Sequence, residues 1–217
     1  MLAVLAALMT STPASAHAQF NVERFGSPHT VYFGGAGLDP AVLATAGIGR
    51  VLSVGQRPLL AYLESSVAMG DLDLRDYRAR LGVQGKVLGW RDMRLTANLA
   101  FVTRGTRNPI FDATSMGADI GGTIGMYRPR WFVAGEAGYD KAIITHLTHS
   151  DQYRTQYYAD AKDGWYIDTG GIRRVGIVSG ISRGRWDVVL RAGVPRTQRG
   201  NTLVAPAYAT MTWAVGF

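Results

Sequence analysis

Tyr77-Arg78-Ala79-Arg80-Leu81-Gly82-Val83-Gln84-Gly85-Lys86-Val87 is the stretch whose reading decides the fold. One parity carries Tyr77, Ala79, Leu81, Val83, Gly85 and Val87. The other carries Arg78, Arg80, Gly82, Gln84 and Lys86. Side chains of a β-strand project alternately to opposite faces, so this is a strand with one apolar and one charged face. On a helix the same residues would scatter around the whole circumference and make no face at all.

The pattern recurs on both sides. Residues 93 to 103 set Met93, Leu95, Ala97, Leu99 and Phe101 against Arg94, Thr96 and Asn98. Residues 116 to 126 set Met116, Ala118, Ile120, Ile124 and Met126 against Asp119 and Thr123. Trp131, Val133, Ala137 and Tyr139 oppose Glu136, and Trp186, Val188, Leu190, Ala192 and Val194 oppose Asp187 and Arg191. Residues 59 to 69 alternate more weakly. Between 165 and 181, the neighbours Arg173 and Arg174 force one arginine outward, so that either the strand rises above the membrane there or Gly170-Gly171 makes a bulge that shifts the register.

The connections sort by length. Leu88 to Asp92, Arg128 to Arg130 and Arg183 to Arg185 read as short turns. Residues 70 to 76, 104 to 115, 140 to 163 and 195 to 202 read as long loops. The two kinds alternate strictly, as they do in an up-and-down barrel crossing a membrane. Aromatics fall at both strand ends: Trp90, Trp131, Trp186 and Trp213 toward the short turns, and Tyr77, Phe101, Tyr139 and Trp165 toward the long loops. Two such girdles suit lipid headgroups.

The final residues, Ala205 to Phe217, again alternate, with Ala209, Met211, Trp213, Val215 and Phe217 on one face. This strand resembles the C-terminal strand of bacterial outer-membrane barrel proteins. The resemblance implies an all-β, antiparallel up-and-down transmembrane β-barrel. It also implies that Trp213, Val215 and Phe217 form the signal read by the barrel-insertion machinery, and that outer-membrane lipids and lipopolysaccharide are partners.

Strands from Leu59 onward number eight. His29 to Phe33 and Ile48 to Val54 raise the count to ten, with Gly34 to Pro40 read as a loop between them. Alternatively, residues 28 to 56 are a short N-terminal extension, and Asp39-Pro40 starts a short helix. Ten is favoured over eight. Residues 2 to 9 are apolar, and Ala14-Ser15-Ala16 and Ala16-His17-Ala18 both fit a small-x-small cleavage pattern. Residues 1 to 18 therefore read as a signal peptide for export to a bacterial outer membrane, although no Lys or Arg precedes the apolar run. The other reading is a buried N-terminal helix. The barrel is assigned to residues 19 to 217.

The chain of 217 residues has no cysteine, which removes disulfides, thiolate metal sites and a lipidated cysteine from consideration. Its formal net charge is +7, but the arginines are dispersed and form no basic tract. Lipid phosphate suits that distribution better than nucleic acid.

The inward set Arg78, Arg80, Arg94, Asp119, Glu136 and Arg191 reads as a charge network filling the lumen, or else as a charged pore constriction. His146, His149 and Asp151 have an H-x-x-H-x-D spacing that could hold a divalent metal, a weak candidate with no helix face to orient it. No cofactor is expected. Omptin-like proteases use Asp and His at the external rim, where His146, His149, Asp140 and Asp168 would lie. A lipid A deacylase needs an outward Ser-His pair, and Ser150 beside His149 is only loop context. Arg104, Arg107, Arg196 and Arg199 could dock lipopolysaccharide phosphates. The expectation is a non-enzymatic outer-membrane protein of structural, adhesive or envelope-stabilising role. The alternatives are a small solute pore, a rim hydrolase and a soluble lipocalin-like barrel.

Overall fold

The structure, a computed structural model, describes residues 19–25, 30–38, 42–69, 76–197 and 207–217. Residues 1 to 18, Asp39-Pro40 and Arg199 lie outside it, and with them the expected signal peptide and short helix.

Ten antiparallel strands close into one barrel: β1 (Thr30–Leu38), β2 (Val42–Val54), β3 (Arg57–Ala68), β4 (Tyr77–Trp90), β5 (Met93–Asn108), β6 (Phe111–Arg128), β7 (Trp131–His149), β8 (Gly164–Arg183), β9 (Trp186–Thr197) and β10 (Tyr208–Gly216). Each strand pairs with its neighbours in sequence, and β1 pairs with β10. The seam runs to the last residue. Thr30 N–H donates to the Phe217 carbonyl at 3.0 Å, and Phe217 N–H donates back to Thr30 at 2.9 Å. A closed sheet leaves no edge strand with unpaired backbone groups.

The four turns at one end, here the short-turn end, are two residues each: Gly55-Gln56, Arg91-Asp92, Pro129-Arg130 and Gly184-Arg185. Gly55 and Gly184 have φ of 61° and 58°, and Arg91 takes φ 54° without being glycine. Such positive values are what tight hairpin turns require.

Three expected loops are corrected. Residues 34 to 38 are strand, not loop, and pair with both β2 and β10. The glycines suit this seam because bulky neighbours cross it. A Cβ on Gly37, for example, would lie 2.6 Å from the Thr210 side chain opposite it on β10. Residues 104 to 115 form the ends of β5 and β6, joined by a two-residue turn at Pro109-Ile110. Residues 140 to 149 continue β7. In both extensions the apolar alternation fades while backbone pairing continues, so hydropathy alone ends the strands too early. The true connection after β7 holds a one-turn-and-a-half helix, α1 (Asp151–Gln156), capped by Ser150.

The outer face is an apolar belt that includes Leu63, Leu81, Leu99, Ile120, Ile124, Val175, Ile177, Leu190 and Met211, all exposed. Trp90, Trp131, Trp186 and Trp213 ring its short-turn edge, and Phe101 and Trp165 stand exposed nearer the other. Among the described residues no helix is long and apolar enough to cross a membrane.

Residues 19 to 25 enter the barrel at the short-turn end. Phe20, Val22 and Phe25 are buried against an apolar layer of the lumen formed by Val31, Phe33, Val51, Leu60, Phe132 and Val178, among others. Phe20 meets Phe33 edge-on, with ring centroids 5.2 Å apart. Its backbone is held on both sides by Gln84, which accepts from Phe20 N–H at 3.2 Å and donates to the Phe20 carbonyl at 3.1 Å. Asn21 donates to the Arg128 carbonyl at 2.8 Å, and Arg24 pairs with Asp187 at 2.6 Å. Nothing in the hydropathy pattern of the strands announces this plug.

Replacing a buried Phe with Ala costs about 3–5 kcal/mol in a packed core. The double variant F20A/F25A is expected to free residues 19 to 25 for limited proteolysis while the barrel stays intact. Protection equal to wild type would show that the polar contacts alone hold the segment.

Candidate functional site: a charged lumen layer and a closed loop end

Above the apolar layer the lumen is crossed by ion pairs. Inward parity places Glu64 on β3, Arg78 and Arg80 on β4, Arg104 on β5, Asp119 on β6, Glu136 and Asp140 on β7, Arg174 on β8 and Arg191 on β9, all buried. Asp119 is fully buried and takes two arginines from opposite sides. Arg174 binds it in bidentate fashion, at 2.6 and 3.2 Å, and Arg80 reaches it at 3.4 Å. Arg80 also donates to Glu64 at 2.8 Å. The chain Glu64–Arg80–Asp119–Arg174 therefore spans the lumen from β3 to β8.

A second group joins Arg191 to Glu136 through two 2.9 Å hydrogen bonds, with the Tyr208 hydroxyl on the same carboxylate. A third places Asp140 between Arg104, at 2.5 Å, and Arg78. Bidentate guanidinium–carboxylate pairs have fixed planar geometry, so they cross-brace strands as well as neutralise charge.

Gly138 makes room for the central arginine. A Cβ at this position would fall 2.5 Å from the Arg174 guanidinium carbon.

Of the expected network, the structure brings together Arg78, Arg80, Asp119, Glu136 and Arg191. Arg94 belongs elsewhere: it lies at the short-turn mouth and donates to Glu23 at 2.5 Å. That contact, with Lys86 nearby, holds the Glu23 carboxyl below its usual value. Lys86 keeps the inward parity, paired with the buried Thr96, and reaches Glu23 at 3.6 Å at this mouth; the bulge lies beyond it, before Leu88. Sequence reading missed Glu64, Arg104, Asp140 and Arg174. Glu64 lies in the weakly alternating strand, and Arg104 and Asp140 fall in stretches read as loop. Arg174 shares its segment with Arg173, which faces outward as one of the pair had to.

The candidate metal ligands do not converge. Their three-residue spacing puts His146 and His149 on opposite faces of β7, and the extra residue at Ile143 between the pairs Gly117–Ala142 and Met116–Ile144 makes His149 the inward one. His146 packs edge-on against Trp165 at 4.9 Å. His149 stacks on Tyr153 at 5.0 Å and faces Asp163, and Asp151 is the exposed first residue of α1. Among the described residues no cluster of His and carboxylates is placed to hold a metal. The rim quartet is equally scattered, with Asp140 in the lumen and Asp168 paired outside with Lys141.

An open hollow of about 630 Å³ lies at the loop end, lined by Arg107, Phe111, Asp112 and His149 among others. Beside it, Asp163 anchors the loop. It accepts from the His149 backbone N–H at 2.8 Å and from Arg154 of α1 at 2.5 Å. These two contacts, the backbone one foremost, hold its carboxyl down at about 2.

Neither a scan of protein-family models nor a search of curated proteins finds a match to this chain.

Two predictions follow from these contacts. Asp119→Ala leaves Arg80 and Arg174 facing each other in the lumen and is expected to destabilise the barrel by about 3–5 kcal/mol. Its gel band should unfold at a lower temperature than wild type, and an unchanged transition would remove the cross-brace. For Asp163, a depressed folded value means the anchor is complete above about pH 4 and is lost as pH falls toward about 2. The protection factor of the His149 amide should therefore fall at low pH, and D163A should show the lowered protection already at pH 7. Equal protection in both proteins at pH 7 would refute the anchor.

Proposed function

We propose that this chain is an exported outer-membrane barrel of a Gram-negative-type bacterium whose role is structural, adhesive or envelope-stabilising rather than conductive. The observation that carries the reading is the pairing of an exposed apolar belt with a doubly closed lumen. The belt, flanked by exposed tryptophans, would be costly in water and suits lipid. Inside, the plug of residues 19 to 25 and the ion-pair layer are stacked along one axis, and either alone blocks a narrow barrel.

A soluble lipocalin-like barrel has the opposite arrangement, with polar groups outside and an apolar cavity for its ligand. The C-terminal strand supports export and insertion. Met211 and Trp213 face outward while Phe217 completes the backbone seam with Thr30. Trp213, Val215 and Phe217 would thus be presented to insertion machinery as the final strand pairs with β1. Lipopolysaccharide remains a candidate partner at the loop end through Arg107 and Arg196. Arg104 is withdrawn from that role because it is buried against Asp140.

Two measurements test the proposal. In mild detergent, the unboiled protein is expected to migrate faster on a gel than the boiled one, as closed barrels do. In a planar bilayer it is expected to be silent, and deletion of residues 19 to 25 is expected to leave it silent because the ion layer remains. Steady single-channel conductance by the wild-type protein would replace the structural reading with that of a solute pore. Recovery in a soluble fraction with no mobility shift would overturn the membrane assignment itself.

A further inference from the structure

The formal net charge of +7 is not spread evenly over the barrel. Within the lumen layer, five arginines face four carboxylates and the charges nearly cancel. At the loop end Arg107 is engaged with Asp112, Lys141 with Asp168, and Arg154 with Asp163, while Lys162 and Arg173 stand exposed. The short-turn end is different. Arg57, Arg91, Arg130, Arg183 and Arg185 stand exposed on or beside its four turns. The acidic groups there are already taken, Glu23 by Arg94 and Lys86, Asp92 by Arg128, and Asp187 by Arg24. Among the described residues no carboxylate pairs with these five arginines.

The same rim carries the tryptophan girdle, and the two are in contact. Arg91 lies 5.3 Å from the centre of the Trp90 ring, Arg128 5.9 Å from Trp131, and Arg185 5.4 Å from the ring of Phe217. Indole rings of this kind settle where hydrocarbon gives way to headgroups. The guanidinium groups stacked beside them are thereby held at headgroup depth, and those of Arg91 and Arg185 keep their N–H donors for another acceptor.

We propose that the short-turn rim is a binding surface for anionic phospholipid headgroups. A phosphodiester presents two oxygens that a guanidinium binds in a forked, charge-assisted geometry. A headgroup with net negative charge relieves the mutual repulsion of the ring of arginines. A zwitterionic headgroup brings its own cation and relieves much less. Selectivity should therefore follow headgroup charge and weaken as salt screens it.

This inference rests on the membrane reading. The test reconstitutes the full protein into vesicles of equal parts phosphatidylglycerol and phosphatidylcholine, re-extracts it in mild detergent and quantifies the retained lipid. The retained pool is expected to be enriched in phosphatidylglycerol by about tenfold. Enrichment should fall to parity in R57Q/R91Q/R130Q/R183Q/R185Q and persist in the loop-end variant R107Q/R154Q/R173Q. Wild-type protein reconstituted at high salt should also lose it, a measurement that needs no variant to fold. Parity in wild type at low salt, or equal loss in both variants, overturns the rim assignment while leaving the barrel in its membrane. Failure of wild type to float with vesicles of any composition overturns the membrane reading and this inference together.

Discussion

A charge inside a ten-strand barrel has nowhere to go but to another charge. The lumen is too narrow to keep a solvated arginine and is walled on every side by strands. Asp119 shows the consequence: with essentially no exposure, it is held between Arg174 and Arg80, which come from strands on opposite sides of the lumen. Desolvating such groups costs several kcal/mol each unless partners with good geometry replace the lost water. The pairing therefore constrains register throughout. A one-residue slip of any participating strand would carry its charge to the apolar outer face and leave its partner unpaired.

Stacked below this layer is a second solution to the same filling problem. Toward the short turns the inward positions become apolar, and the chain's own segment from Gln19 to Phe25 occupies the space. Its side chains serve two environments at once. Phe20, Val22 and Phe25 complete an apolar layer, while Asn21, Glu23 and Arg24 fasten the segment to backbone and charged groups of the surrounding turns. The lumen thus passes from an ionic layer to an apolar one to a polar mouth. The outer surface runs independently, with an apolar belt bounded by aromatics.

Much of this was legible from period two. The residues from Tyr77 to Gln84 face as their alternation says, and Arg78, Arg80, Asp119, Glu136 and Arg191 all point into the lumen. Reading failed where one face lost its contrast. Beyond Thr103 and beyond Tyr139 the outer residues cease to be apolar, so alternation vanishes although the backbone still pairs. In β1 the run of Gly34, Gly35 and Gly37 offers no side chains to alternate. A bulge hides itself in the same way: an extra residue at Ile143 switches the inward parity of β7, so that Asp140 and His149 both face inward.

The sequence by itself determined the class of fold, the inward and outward faces of the long strands, and the end at which four of the tight turns lie, but not the tight turn at Pro109-Ile110 on the other end. Each of these depends on neighbours a few residues apart, where side-chain direction is dictated by backbone geometry. Which charges meet was decided only by the closed sheet, because Glu136 and Arg191 are 55 residues apart and become partners through strand order and register. The same holds for the plug: Phe20 has no partner within its own stretch of chain and acquires Phe33 and Gln84 only when ten strands enclose them.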